Sequence, residues 1–305
     1  MTAREVEDPA GEGLDAAAVA FDEGRPRLFG IAYRILGSVA EAEDIVQEAW
    51  LRWQATDRSV VENPAGFLTT VTTRLALNTL DSARFRREQY VGSWLPEPVE
   101  TSADPTLGAE TAEALDAAVL LLMERLSPEH RAAYVLREAF AYPYDDIAEI
   151  LETTPPNARQ LVSRAKKQVQ SGRREPVDPV QHRALLEAFV RAAQEGDLTR
   201  LEQTLSADVV STSDGAGIAP RAARRPVVGR DKVARFVAGW ADWWDDSTLT
   251  WLETNGRPSV VVSRGDTPLA HLSISASPAG IDQLLWVMAP AKLTHVRAGG
   301  PRATS

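Results

Sequence analysis

"EAEDIVQEAWLRW", residues 41–53, is the stretch from which the rest of the chain can be read. Ile45, Ala49 and Trp53 recur every fourth position, and Val46 and Trp50 widen the stripe, so the segment is an amphipathic helix. Glu41, Asp44 and Glu48 form an acidic ridge on the other side. Such a ridge, taken alone, is a solvated face. Upstream, Leu28, Ile31, Ala32, Ile35 and Leu36 keep a helical period until Gly37-Ser38 interrupts it, which makes residues 26–55 two helices. Downstream, Asn63-Pro64 pairs an N-cap with a first-turn proline. The helix that follows sets Phe67, Val71 and Leu75 on one side and Thr69, Thr70, Thr72, Thr73, Arg74 and Asn78 on the other. Short hydroxyl and amide groups ahead of Arg84, Arg86 and Arg87 suit a nucleic-acid backbone and unpaired bases. A packed helix with a polar face is the plainer alternative.

Net charge opposes that use, because 43 acidic residues against 33 Lys and Arg leave -10. Its distribution matters more. Arg159, Arg164, Lys166, Lys167, Arg173 and Arg174 lie in residues 154–174, which contain no acid, whereas acids concentrate in 5–23 and 41–48. A chain so divided can meet DNA with one surface and a protein with another. With no cysteine and four scattered histidines, no disulfide framework, metal site or cofactor is expected. No apolar run is long enough to cross a bilayer, and the acidic start is unlike an export signal, so the expected compartment is the cytoplasm.

Periodicity lapses over 88–112, with Asp104-Pro105 and Gly108, and this segment is read as a linker. Helices then resume: one opened by Ser127-Pro128 and ending near Phe140, a short one from Tyr144 to Leu151, and the basic helix NARQLVSRAKKQVQ, which the Pro155-Pro156 pair should start at Pro156. Short helix, turn and basic helix describe a helix-turn-helix. Beyond Pro176, helices over 179–195, 197–205 and 231–244 accompany apolar or alternating runs broken by Asn255-Gly256, Gly265-Asp266 and Pro278-Ala279-Gly280, which indicates an α+β unit.

In this order the segments resemble the extracytoplasmic-function sigma factors of the sigma-70 family. AYRILGS (32–38), EAEDIVQEAWLRW and NPAGFLTTVTTRLAL are similar to the family's region 2, and LSPEHRAAYVLREAFAYPYDDIAEIL with its basic helix is similar to region 4. YVGSWLPEP (90–98) resembles a signature of the SigJ-like subgroup, whose members carry a SnoaL-like domain at the C-terminus. The implied fold is multidomain. It comprises an acidic flexible tail (1–20), an all-α region 2 bundle (21–88), a linker (89–112), an all-α region 4 helix-turn-helix (113–174), an α+β SnoaL-like or ketosteroid-isomerase-like cone (178–297) and a tail (298–305).

The resemblance also implies partners. Glu41, Asp44, Gln47 and Glu48 would dock on the β′ clamp helices of core RNA polymerase, which also offers its β subunit. Thr70, Thr73, Arg74, Asn78, Arg84, Arg86 and Arg87 would hold the promoter -10 element, and Asn157, Arg159, Gln160, Ser163, Arg164, Lys166 and Lys167 would read the -35 element in the major groove. The hook at Trp94, Leu95 and Pro96 would dock on the C-terminal domain near Asp214, Gly215 and Gly217, in a DGAGI loop that resembles a glycine-rich motif of the subgroup but lacks its lysine. That domain would modulate activity in cis, with a sensed small molecule as its ligand. The alternative is a helix-turn-helix regulator fused to a small-molecule-binding or cyclase/isomerase-like domain, for which His271, Asp214 and Asp282 are acid-base candidates and Trp240, Trp244, Trp251 and Trp286 are walls. No tyrosine follows Tyr144 to donate a hydrogen bond there, and the chain is read as a non-enzyme.

Overall fold

The computed structural model describes residues 9–101 and 115–296, with side chains from residue 17 onward. Helix α1 (Pro9–Leu36), α2 (Val39–Ala55) and α3 (Pro64–Glu88) form an antiparallel bundle. Gly37 takes a positive φ of 70° and Ser38 caps α2, accepting from Glu41 N at 3.3 Å, which sets the break where the sequence placed it. Asn63 caps α3 through Gly66 N at 3.0 Å. The start of α1 departs from expectation. Residues 9–20 are helical rather than a tail, because Ala17 and Phe21 continue the stripe of Leu28 and pack with Val46, Trp53 and Leu68. The Trp53 indole donates to Ala17 O at 3.1 Å. Residues 1–8 and the C-terminal tail at 298–305 lie outside the described residues.

After the linker come α4 (Ala117–Met123), α5 (Pro128–Tyr134, running into a π turn at Val135–Ala139), α6 (Tyr144–Ile150) and α7 (Pro155–Ser171). The basic helix begins one residue earlier than expected, with both prolines in a first turn whose N–H groups have no helical partner and Thr154 as N-cap. These helices share one core with the first bundle: Ile31, Ile35, Leu75 and Leu80 belong to the same buried cluster as Leu136, Phe140, Ile147 and Val162.

The C-terminal unit opens with α8 (Pro179–Glu195) and α9 (Leu198–Thr204), joined through Gly196 in the left-handed region. Strand β1 (Leu205–Asp214), β2 (Val227–Val228), α10 (Arg230–Ala238) and α11 (Ala241–Trp244) follow, the last two divided at Gly239 where one helix was expected. Strands β3 (Thr248–Thr254), β4 (Arg257–Arg264), β5 (Thr267–Ser277) and β6 (Gly280–Val287) form a meander. The sheet order is β2-β1-β6-β5-β4-β3, with β1 parallel to β6 and every other pair antiparallel. One face packs on α8 and α10 around Phe189, Val237, Leu272 and Trp286. The other carries Leu285 and Val287 and receives Leu95 of the linker, with Leu293 and Leu121 beside it.

Candidate promoter and polymerase interface, and its clamp

On α2, Asp44 and Gln47 are exposed, and Glu48 is partly exposed and pairs with Arg52 at 2.9 Å. Glu41 is drawn aside, because Arg86 of α3 holds its carboxylate. The ridge available to a partner is therefore Asp44, Gln47 and Glu48.

The threonine face of α3 was expected outside, and here the structure corrects the reading. Thr69, Thr72 and Thr73 are buried, at 1% exposure or less. Thr69 Oγ1 and Tyr142 Oη share a hydrogen bond of 2.8 Å, and Thr70 bonds back to Gly66 O. Arg74 donates to Ile150 O at 3.0 Å and Glu149 O at 3.1 Å, at the C-terminal end of α6 where the carbonyls lack helical partners, and pairs with Glu152 at 3.0 Å. Arg84 donates to Leu126 O, and Arg87 to Glu124 and Leu36 O. Only Asn78 and Arg86 of the seven expected -10 contacts are exposed, and Arg86 is held by Glu41. Periodicity could not reveal this, because the surface that covers α3 comes from far along the chain.

Helix α7 is two-faced. Ala158, Leu161, Val162, Ala165 and Val169 face the core, and Asn157, Arg159, Gln160, Ser163, Arg164, Lys166 and Lys167 are exposed. Lys166 pairs with Glu138 at 2.7 Å, and Arg159 lies 5.1 Å from the Tyr144 ring centre.

The hook packs on the C-terminal domain. Leu95 and Pro96 are buried, and Leu95 N donates to Asp214 Oδ2 at 2.9 Å. Asp214 is wholly buried and also accepts from Tyr90 Oη at 2.6 Å and Lys292 Nζ at 2.7 Å. Burial pushes the Lys292 ammonium down and Asp214 opposes that. Trp94 lies against two cations, with Arg87 3.8 Å and Lys292 4.4 Å from its ring centre. Gly215 packs tightly on Ala219 and Ala222. Gly217, with a φ of 73°, leaves room for Val91.

Four partners in this clamp escaped sequence reasoning. Glu97, one residue past Pro96, accepts from Ser38 Oγ at 2.9 Å and Val39 N at 2.8 Å, and so caps α2 from the linker. Asn255, read only as a turn residue, accepts from Val99 N at 3.1 Å and donates to Tyr33 Oη at 2.7 Å and Leu115 O at 3.0 Å. Tyr33 in turn donates to Glu97 O at 2.6 Å. Lys292 follows β6 in an otherwise apolar APAKL, a lone charge that could have been flagged.

The acid-base candidates do not converge. Asp214 belongs to the clamp, His271 bonds Thr254 Oγ1 at 2.8 Å, and Asp282 is held by Arg174. Among the described residues no group of three or more potential metal ligands occurs, and no helix is long and apolar enough to cross a membrane.

Residues 20–86 match the Sigma-70 region 2 family, and residues 116–169 match Sigma-70, region 4. The ECF RNA polymerase sigma factor SigJ of Mycobacterium tuberculosis is 44% identical over 228 residues, which cover 72% of this chain and 71% of the relative. The probable ECF RNA polymerase sigma factor SigI of the same organism is 30% identical over 290 residues, 93% of this chain and 97% of its own. The crystal structure of M. tuberculosis SigJ superposes with a TM-score of 0.73 at 35% identity, covering 91% of this chain and 98% of that one. Sigma-70 regions 2 and 4 in order, ahead of a C-terminal α+β sheet domain, make this chain a member of the extracytoplasmic-function RNA polymerase sigma factors.

Proposed function

We propose that the chain directs core RNA polymerase to its promoters in the cytoplasm and that the arrangement described here is its restrained form. Asp44, Gln47 and Glu48 of α2 form the polymerase contact. The exposed side chains of α7 enter the major groove of the -35 element, where arginine makes paired hydrogen bonds to guanine. Helix α3 takes the -10 element only after region 4 leaves it. The observation that carries this reading is the asymmetry between the two helices: α7 presents an exposed basic face, while Arg74, Arg84 and Arg87 are drawn onto main-chain carbonyls and carboxylates. Elements centred about 25 base pairs apart lie about 85 Å apart along a duplex. Two regions sharing one core cannot reach both at once.

The C-terminal domain supplies the restraint in cis. It grips the linker through Asp214, Lys292 and Asn255, and Glu97 carries that grip to the start of α2. Run-off transcription with purified core enzyme tests both parts. Reversing Asp44→Arg and Glu48→Arg should abolish initiation, and loosening the hook with Trp94→Ala and Leu95→Ala should raise initiation at limiting core enzyme. Full activity in the first variant would overturn the polymerase contact. Unchanged activity in the second, at every promoter and level of core enzyme, would overturn the restraint.

A further inference from the structure

The turn between β3 and β4 carries a dipeptide with chemistry of its own. Of the four asparagines in the chain, only Asn255 precedes a glycine. Asn63 precedes Pro64, which has no N–H to react, and Asn78 and Asn157 lie within helices. A glycine leaves its backbone nitrogen unshielded beside the preceding side-chain amide, so Asn-Gly is the pair most prone to lose ammonia. Asn255 and Gly256 have φ of 54° and 68°, the left-handed pair of a two-residue hairpin turn, and Asn255 is 3% exposed. Every atom such a reaction uses is held from outside the hairpin. Gly256 N, the nucleophile, donates to Thr101 Oγ1 at 3.1 Å. Asn255 Oδ1 accepts from Val99 N at 3.1 Å, and Nδ2, the leaving group, donates to Tyr33 Oη at 2.7 Å and Leu115 O at 3.0 Å. The linker main chain completes the cover, since Asn255 N donates to Val99 O at 2.8 Å and Thr101 N to Glu253 O at 2.9 Å.

We propose that Asn255-Gly256 is a deamidation site gated by the linker, and that its product keeps the linker from docking again. With the linker in place, the nucleophile, the carbonyl oxygen and the leaving group are all engaged. Once it departs, Gly256 N attacks Asn255 Cγ. The new C–N bond forms as the Cγ–Nδ2 bond breaks, and Nδ2 leaves as ammonia with the proton from Gly256. Water then opens the cyclic imide to aspartate or isoaspartate, so one water is consumed for each ammonia released. The product no longer fits its old place. Tyr33 Oη already donates to Glu97 O at 2.6 Å, so toward residue 255 it accepts. A carboxylate has no proton to give it or Leu115 O, and sets a negative charge against two oxygens in a buried site. Isoaspartate also lengthens the main chain that pairs with Val99. The proposal rests on the cis restraint for its opening step and deepens it: a copy that stays open long enough loses its means of closing.

The test ages the full chain in neutral buffer without polymerase or promoter and reads residue 255 by peptide mapping in a mass spectrometer. The folded parent should deamidate at least tenfold more slowly than the same chain in urea, because only its opened fraction reacts. The hook variant, Trp94→Ala with Leu95→Ala, should deamidate at least tenfold faster than the parent. Tyr33→Phe, which removes one acceptor of Nδ2 and leaves the hook intact, should lie between them. Deamidated parent, separated by its added negative charge, should exchange the Val99 and Thr101 amide protons at least tenfold faster than unmodified parent. Equal rates in folded and urea-unfolded chain, or in the parent and both variants, overturn the gate. Unchanged exchange at Val99 and Thr101 overturns the loss of closure. A hook variant that initiates better yet deamidates at the parent's rate sinks this proposal and spares the restraint. One that deamidates quickly yet initiates no better sinks the restraint and spares the modification.

Discussion

Asp214 joins the linker, its own loop and Lys292 at a point without solvent, accepting from Tyr90, Leu95, Ala216 and Lys292. Replacing it as Asp214→Asn keeps the shape and leaves a buried ammonium without its counter-charge. Breaking one partner of such a pair costs about 3–5 kcal/mol, whereas removing both costs far less. Calorimetric melting should therefore show Asp214→Asn clearly destabilised and the double variant Asp214→Asn with Lys292→Met recovering much of the loss. A double variant as unstable as the single one would mean that the charge pair is not what matters there. The Asp214 end of this junction was legible in the sequence through the glycine-rich loop beside it. The roles of Lys292, Glu97 and Asn255 were not, because a buried charged or amide side chain depends on partners far along the chain, 78 residues away at Asp214 for Lys292, 156 at Val99 for Asn255 and 59 at Ser38 for Glu97.

Strand β5 sets His271 on the linker side of the sheet, where burial pushes its ring down to about 3. The folded chain thus holds it neutral, while the unfolded chain protonates it near the ordinary 6.5. Because the unfolded state takes up the proton first, the stability contributed by the neutral ring is complete above that value and is lost as pH falls toward 3. Urea unfolding at stepped pH should show a shallower loss between about pH 6 and pH 4 for His271→Gln than for the parent. The strands of the meander were plain in the sequence as alternating or apolar runs, and so were the helix break at Gly37-Ser38 and the cap at Asn63. The true start of α1 was hidden, since acidic composition and Pro26 masked the stripe that Ala17 and Phe21 extend. The outward reading of the α3 threonines failed for a related reason: a helix between two neighbours buries more than one stripe, and short hydroxyl side chains fit such close packing.

For the molecule as a whole, regions 2 and 4 share one buried core, and the proposed restraint turns on the seam between them. The order of modules was readable from local patterns, but their contact was not, because local patterns do not report contacts across the chain. The absence of cysteine makes the seam easy to follow, since Ser82→Cys on α3 and Gln170→Cys on α7 can carry a dye pair without competing thiols. Energy transfer should be high in the free protein and fall when core polymerase and promoter are added. Transfer that stays high in an initiating complex would rule out separation. Tyr142→Phe removes one hydrogen bond of the seam, about 1 kcal/mol, and should shift that fall to lower polymerase concentration. The parallel pairing of β1 with β6 adds a temporal side. The strand that completes the grip, and the lysine after it, are made well after both DNA-reading regions. At ribosomal speed the lag from Glu175 to Val287 is on the order of ten seconds. If the C-terminal domain restrains initiation as proposed, every newborn copy would pass through an interval without that restraint, and a chain truncated before β6 would lack it throughout.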